Sequence, residues 1–384
     1  MEYEEIIHRC FRCGYCKLTE DYLAVNCPPY RKYRFETYSP GGRLWLMRAW
    51  LNGELQTSDR FLEILYSCAT CGNCAEHCVM KFKEDLVNIM IASREEMVDR
   101  GILPPLVRDY LKNIQVNGNP YKKAESERAD WAEGAGVSAY DDQEYLFYVG
   151  CVASYDERGQ VIAKNLAALM QKGGVSFGIL GPEETCDGNE VKVLGESGLF
   201  KYLAEKNMET FREKGIQKII ALSPHGFNAM KNEYPKLNGT YQVNHYTRIL
   251  AQLLEQKKLK PAEQKLTVTY HDPCYLGRHN HEYETPRRIL KSIPGLTLIE
   301  MERNRANAFC CGGGGGNFFT DILGGGPDSP NRLRVRQALE TGAEVLAVAC
   351  PQCAKMLEDG IKAEEAEDRL RVMDVSEILR QSVL

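Results

Sequence analysis

The sequence predicts an α+β protein: a small, mostly helical, cysteine-rich module followed by a duplicated α/β unit. Three observations carry this. Eight of the fifteen cysteines crowd into residues 1–110, in two groups. From about residue 144 the texture changes to short apolar strand runs alternating with amphipathic helices. Within that half, five features recur in the same order at offsets of 123 to 129 residues, which marks an internal duplication.

The bulk composition sets outer bounds. A chain of 384 residues is too long for one compact core and suits two or three domains. The net charge is −5, from 48 basic and 53 acidic residues, with no basic stripe. That argues against nucleic acid as a partner. The first residues, Met1-Glu2-Tyr3-Glu4-Glu5, lack the basic and apolar stretches of a secretory signal. No segment approaches the roughly 18 uninterrupted apolar residues of a spanning helix. The expected location is therefore the reducing cytoplasm, with any membrane association made through a partner. Clustered cysteines there mean metal or redox chemistry rather than disulfides.

In the N-terminal module, Cys10-x2-Cys13-x2-Cys16 is followed by Cys27-Pro28, and Cys68-x2-Cys71-x2-Cys74-x3-Cys78 forms the second group. A CxxCxxC run places three thiolates on three corners of one iron–sulfur cubane, and the fourth corner is met from far away in sequence. In two-cluster ferredoxins the last Cys of each run serves the other cluster. By that logic Cys10, Cys13, Cys16 and Cys78 hold one [4Fe–4S] cubane, and Cys68, Cys71, Cys74 and Cys27 hold the other. Gly14 and Gly72 lie inside the runs, where the backbone curls close to the cofactor. The proline that usually follows the last Cys is present at Pro28 but is Val79 in the second group. Four-cysteine zinc sites use two separated CxxC pairs, a different pattern. Helical spacing is evident at Leu44, Met47, Trp50 and Leu51, and again at Val87, Met90 and Ile91. His77, beside Cys78, reads as a supporting group rather than a ligand.

Residues 111–143 read as a linker, from the breaker cluster Asn117-Gly118-Asn119-Pro120 and the polar run Lys122 to Arg128. Trp131 is expected to anchor it. The repeat then begins. Tyr145–Cys151 matches Leu266–Cys274, each a strand run ending in Cys. A helix follows each, carrying Ile162, Leu166 and Leu169 in one and Ile289, Leu290 and Ile293 in the other. Glu184–Gly188 matches Phe309–Gly312, and Ile219–Gly226 matches Leu346–Cys353. Val243–Thr247 and Val372–Ser376 each open a last helix. Two small sheets with helices on their faces are expected, in units 144–262 and 263–384.

The second unit carries Cys274, then Cys310-Cys311, then Cys350-x2-Cys353: five thiols, one more than a cubane needs. Gly312 to Gly316 follow directly. Five glycines leave no side chains between backbone and cofactor, and their N–H groups can bond thiolate or sulfide. A dinucleotide fingerprint does not fit, because its last glycine falls on Asn317 and no helix-opening context is evident. The gaps are 35 residues before Cys310 and 38 after Cys311. This resembles the cysteine-rich CCG domain of heterodisulfide reductases and their relatives, among them the iron–sulfur subunits of glycolate and lactate oxidases and of anaerobic glycerol-3-phosphate dehydrogenase. The module order is similar too: a two-cluster ferredoxin domain, a linker resembling Asn119-Pro120…Asp130-Trp131, then two CCG units. The resemblance covers nearly the whole chain. It implies that Cys274, Cys310, Cys311, Cys350 and Cys353 bind one noncubane [4Fe–4S] cluster.

The first unit departs from that family pattern. Cys151 is in place, the CC pair is reduced to Cys186-Asp187, and the closing CxxC is Ser223-Pro224-His225-Gly226. A second noncubane cluster is not expected, and Cys151 and Cys186 read as buried thiols without a ligand role. Asp187 and His225 could complete a two-thiolate site, but His225 reads better as a satisfied surface or interface histidine. His271, Asp272, Arg278 and His279 flank Cys274, and with Gly312 and Gly313 they are expected to support the cofactor rather than bind substrate. The function expected is an electron-transfer subunit of a multi-subunit redox complex, moving single electrons between two cubanes and a noncubane centre. Partners are other redox subunits, with a flavoprotein implied by the resemblance. The alternative is a thiol–disulfide (heterodisulfide) reductase acting at the noncubane centre. A zinc-bearing scaffold is the third reading.

Overall fold

A computed structural model describes residues 1–384. The N-terminal module is helical, as its apolar spacing predicts. Helix Pro40–Leu51 starts on the side-chain cap of Ser39, whose Oγ accepts from Gly42 N at 3.0 Å, with proline at its first position. Ser58 caps helix Asp59–Tyr66 in the same way, and helix Leu86–Asp99 closes the module. The two glycines opening Pro40–Leu51 are there for close approach. A Cβ at Gly41 would lie 3.7 Å from Cys10 Sγ and 3.9 Å from Cys16 Sγ. A Cβ at Gly42 would overlap the Glu36 carbonyl. Gly42→Ala is therefore expected to lower the stability of this module by more than about 2 kcal/mol, since backbone must move to admit the methyl. Thermal melts followed by circular dichroism check this.

The stretch expected to be a linker is partly helical. Helix Pro105–Asn117 runs through the expected boundary at 110 and ends on Gly118 at φ +66°. A run of 3₁₀ turns covers Glu125–Ala132. Trp131 is buried and meets Phe147 edge-on, ring centroids 6.1 Å apart, so the segment is docked on the first sheet.

Two parallel four-stranded sheets follow. The first contains β1 (Tyr145–Tyr148), β2 (Phe177–Gly178), β3 (Lys218–Ala221) and β4 (Gln242–His245), in the order β2-β1-β3-β4. The second contains β5 (Leu266–Tyr270), β6 (Leu296–Leu298), β7 (Val345–Val348) and β8 (Arg371–Asp374), in the order β6-β5-β7-β8. Register is matched as well: Leu146 pairs with Ile219, and Val268 with Val345. The strands read as continuous apolar runs because helices cover both faces of each sheet. The direction of winding reverses between β1 and β3, and between β5 and β7. In open parallel sheets the carboxyl ends at such a switch point form a crevice. Cys151 and Ser223 follow β1 and β3, and Cys274 and Cys350 follow β5 and β7.

Candidate metal centres

All fifteen cysteines are unbridged, and all but Cys13 are buried or half-buried. In the N-terminal module the two runs and Cys27 lie close enough to act on one another electrostatically. Cys78 interacts electrostatically with Cys13 and Cys10, and Cys16 with Cys27, Cys78 and Cys10. Cys27 faces Cys71 and Cys68, and Cys74 faces Cys68 and Cys71. Cys16 and Cys74 lie where the runs adjoin, and Asn73 Nδ2 donates to Cys16 O at 3.3 Å between them. Burial pushes the Cys16 and Cys27 thiols up to about 12. A cation replacing the protons removes that penalty.

The five thiols of the second unit converge. Cys310 and Cys274 Sγ are 4.0 Å apart, and Cys311 and Cys353 Sγ 3.5 Å. Gly312 N donates to Cys310 Sγ at 3.4 Å. Hydrogen bonds from Cys310, then Cys353, hold Cys311 well below the ordinary thiol range. Burial opposes ionisation of Cys350, but bonds from Cys353 and His225 bring it down to about 6. His271 completes the group: one of its ring nitrogens, Cys311 Sγ and Cys353 Sγ lie within 4.8 Å of one another. Its Nδ1 accepts from Arg334 Nε at 3.1 Å, while Nε2 is buried and unpartnered. An anion-rich, soft, sulfur donor set with an orphaned imidazole nitrogen beside it fits an iron–sulfur cofactor.

The supporting residues divide. Arg278 is buried and clamps two cluster-ligand loops, donating to Cys71 O at 2.7 Å, Ala308 O at 2.7 Å and Ala306 O at 3.1 Å. His279 Nε2 bonds Thr70 O at 2.8 Å and stacks on Tyr275, whose hydroxyl meets Thr70 Oγ1 at 2.9 Å. Through this clamp Cys71 and Cys310 are brought into one small buried cluster with Cys274 and Tyr275. Asp272 is turned away, held by both its oxygens to Arg287 at 2.6 and 2.9 Å. His77 is buried with Nε2 unpartnered.

The glycine run serves packing as much as the cofactor. A Cβ at Gly314 or Gly315 would overlap the Ala69 or Cys68 carbonyl, and one at Gly316 would strike Leu194. Gly312 and Gly313 face Pro330 and Met356. A one-turn helix, Asn317–Thr320, does open after the run. No strand leads into the run, because the preceding residues are the ligand loop, so the phosphate-cradle geometry is still missing.

Three residues outside the cysteine motifs bind the units together. Arg94, on helix Leu86–Asp99, donates to Val193 O (2.7 Å), Leu65 O (3.0 Å), Tyr66 O (3.2 Å), Cys68 O (2.6 Å) and Gly315 O (3.4 Å). Glu190 of the first unit accepts from His225 Nδ1 at 2.6 Å and from Gly316 N at 2.5 Å. His225 is buried at the interface of the two units, not at the surface, and reaches Cys350 of the second unit. Burial disfavours its charge, but Glu190 and Cys350 outweigh this and raise its pKa to about 10. Nothing in the sequence singled out Glu190, and Arg94 sits in an ordinary-looking helix.

These features define a thiolate-rich iron–sulfur protein built from a helical dicluster module and two cysteine-rich α/β units. Comparison with known proteins gives the family. The cysteine-rich (CCG) domain model matches residues 145–231 and 268–358, and the 4Fe–4S dicluster domain model matches residues 6–82. A dihydromethanophenazine:CoB–CoM heterodisulfide reductase subunit of Methanosarcina barkeri is 31% identical over 396 residues, covering 97% of this chain and 93% of that one. The probable iron–sulfur-binding oxidoreductase FadF of Bacillus subtilis is 40% identical over 333 residues, and the EtfAB:quinone oxidoreductase of Syntrophomonas wolfei is 39% identical over 331. These two matches cover 84% and 83% of this chain but 47% and 46% of the relatives, so the chain spans about half their length. A crystal structure of a hypothetical protein from Helicobacter pylori shares the fold, with a TM-score of 0.55 at 12% identity over 90% of this chain and 68% of that one. The chain belongs to the CCG-domain family of 4Fe–4S proteins, in which the Methanosarcina heterodisulfide reductase chain also falls.

Proposed function

We propose that this chain is an electron-transfer subunit of a multi-subunit redox complex. In this reading Cys10, Cys13, Cys16 and Cys78 hold one cubane. Cys68, Cys71, Cys74 and Cys27 hold the second. Cys274, Cys310, Cys311, Cys350 and Cys353 hold one noncubane [4Fe–4S] centre. When bound, such centres supply one-electron oxidation and reduction. The observation that carries the reading is the burial of Cys71 and Cys310 in one small cluster under the Arg278 clamp. A thiol of the second N-terminal set there lies beside a thiol of the CCG set, and the first N-terminal set adjoins the second at Cys16 and Cys74. The three ligand sets thus form one continuous series. His271 and His225 sit against its last member, His271 beside Cys311 and Cys353 and His225 against Cys350. The partners are other redox subunits, a flavoprotein among them. No helix is long and apolar enough to cross a membrane.

Iron analysis of anaerobically purified protein is expected to give about twelve irons per chain, from three four-iron centres. A Cys311→Ser variant is expected to fall to about eight with both cubane signals retained by EPR. Mostly zinc, or no iron loss on that substitution, would refute the assignment.

A second reading, reduction of an external disulfide at the CCG centre, is favoured by one feature. A cavity of about 470 Å³, lined by Asn189, Tyr275, Arg278 and His279, opens between the three units. Thiol or disulfide added to the oxidised protein is expected to produce a new EPR signal if this reading holds, and none if the chain only relays electrons.

A further inference from the structure

The first CCG unit has kept two thiols that the proposed wire does not use. Cys151 follows β1 and Cys186 lies at the position matching Cys310, so the pair corresponds to Cys274 and Cys310, whose sulfurs are 4.0 Å apart. The local geometry is retained: Gly188 N donates to Cys186 Sγ at 3.5 Å, as Gly312 N does to Cys310. Cys151 and Cys186 are both buried and line the same small cavity.

Their setting differs from that of idle core thiols. Arg128 is buried, and its Nη2 lies 3.4 Å from Cys151 Sγ. Glu184 holds that guanidinium at 3.1 Å and is itself fixed by Val149 N and Gly150 N at 3.0 and 2.9 Å. A guanidinium paired with a buried carboxylate is thus also aimed at a sulfur, where it favours the thiolate over the thiol. Burial notwithstanding, Cys186 and Arg128 together hold Cys151 below the ordinary thiol range, while Cys186 is pushed well up.

The pair also faces the other unit. Cys151 and Cys186 line a cavity of about 30 Å³ together with His225, Pro351 and Gln352. Gln352 is the counterpart of His225 in the repeat, and His225 in turn reaches Cys350. Each closing loop therefore meets the opposite unit's thiols. The cavity has room for about one water and excludes an external disulfide. A retained metal is disfavoured by the donors themselves. His225 is shared between Glu190 and Cys350, which leaves Cys151 and Cys186 as the two soft donors there, too few to hold an iron–sulfur cluster.

We propose that Cys151 and Cys186 form a redox-active dithiol–disulfide pair, an internal two-electron site facing the noncubane ligand set. The proposal rests on the reading above for the identity of its electron donor, a one-electron iron–sulfur centre. On reduction the S–S bond breaks as two electrons enter one at a time. Cys186 takes one proton and becomes a thiol, and Cys151 becomes a thiolate beside Arg128. Oxidation returns the two electrons and that proton and re-forms the bond. Such a pair would let a chain of one-electron centres store electrons in twos.

The test is thiol mapping on the full chain. Anaerobic protein is poised with ferricyanide or with dithionite, quenched in acid with an alkylating reagent, and digested with trypsin. In the oxidised sample, peptides 129–158 and 173–192 are expected to be joined through Cys151 and Cys186. In the reduced sample both are expected to be free and alkylated. Cys186→Ser is expected to abolish the joined species while leaving iron content and EPR unchanged. Both thiols free at every potential, in protein with full iron, would overturn the pair, as would a joined species that survives complete reduction. Joining that switches in protein with little iron supports the pair and counts against the cluster assignment instead.

Discussion

Arg94→Met is expected to loosen the joint between all three parts of the molecule. The wild-type guanidinium is fully buried and serves carbonyl oxygens of Leu65, Tyr66 and Cys68 in the N-terminal module, Val193 in the first unit and Gly315 in the second. Methionine keeps much of the stem volume and removes every donor. Each acceptor left dry costs about 1–3 kcal/mol, so two such losses already amount to about 3 kcal/mol. As local opening, that is about a hundredfold. Hydrogen exchange by mass spectrometry is expected to rise by that order at residues 65–69, 193–195 and 314–316, and to stay unchanged in β7. Equal protection in the variant would show that the carbonyls find other partners. The charge matters separately. Arg94 sits against Cys68 with no carboxylate partner, and burial lowers its own pKa. Removing a cation beside a thiolate-ligated centre is expected to shift that centre's midpoint potential downward, a change that a purely structural role would not produce.

Gly315→Ala is expected to separate the ligand loops of Cys68–Cys71 and Cys310–Cys311. Gly315 has φ +65°, and a methyl there would overlap the Cys68 carbonyl oxygen. The left-handed conformation alone costs an alanine about 1–2 kcal/mol. The overlap with backbone has no cheap relief, because Cys68 is itself fixed by Arg94. The N-terminal module and the second unit should each stay folded, with their iron content retained, while electron exchange between their centres slows. Freeze-quenched EPR after rapid reduction reads that rate. Gly325→Ala is the control, since a Cβ there meets nothing within 4 Å and φ is not in the left-handed region; it should change stability by less than about 0.5 kcal/mol. Unaltered exchange in Gly315→Ala would mean that electrons cross elsewhere than at Cys71 and Cys310.

Much of the architecture was legible in the residues. Cysteine spacing reflects local loop closure around a small cofactor, so the runs Cys10–Cys16 and Cys68–Cys74 could be read without a fold. The duplicated strands could be read because buried parallel strands demand apolar runs, and the same demand was met twice. The helices at Leu44–Leu51 and Val87–Ile91 followed from their spacing for the same reason. The segment 111–143 was less legible. Breakers at Asn117–Pro120 suggested a linker, yet helix Pro105–Asn117 forms against Phe319 of the second unit and Trp131 docks on Phe147 of β1, surfaces supplied by distant segments.

What the sequence by itself determined, then, is the chemistry of the cysteines and the repeat that presents them. Tertiary structure alone decided how the parts meet. Arg94 and Arg278 bond mainly to backbone carbonyls from distant segments, and a carbonyl leaves no trace in residue identity. Asp272 flanks a cysteine of the second unit in sequence yet turns to Arg287, because helix Glu284–Lys291 brings that guanidinium against the segment that follows β5. The glycine run looked like a cofactor cradle and proves also to be the place where Cys68 and Ala69 come closest to the second unit. His225 and Glu190 acquire their meaning only when the first unit's decayed site is folded against the second unit's complete one, since each supplies a contact that the other unit lacks.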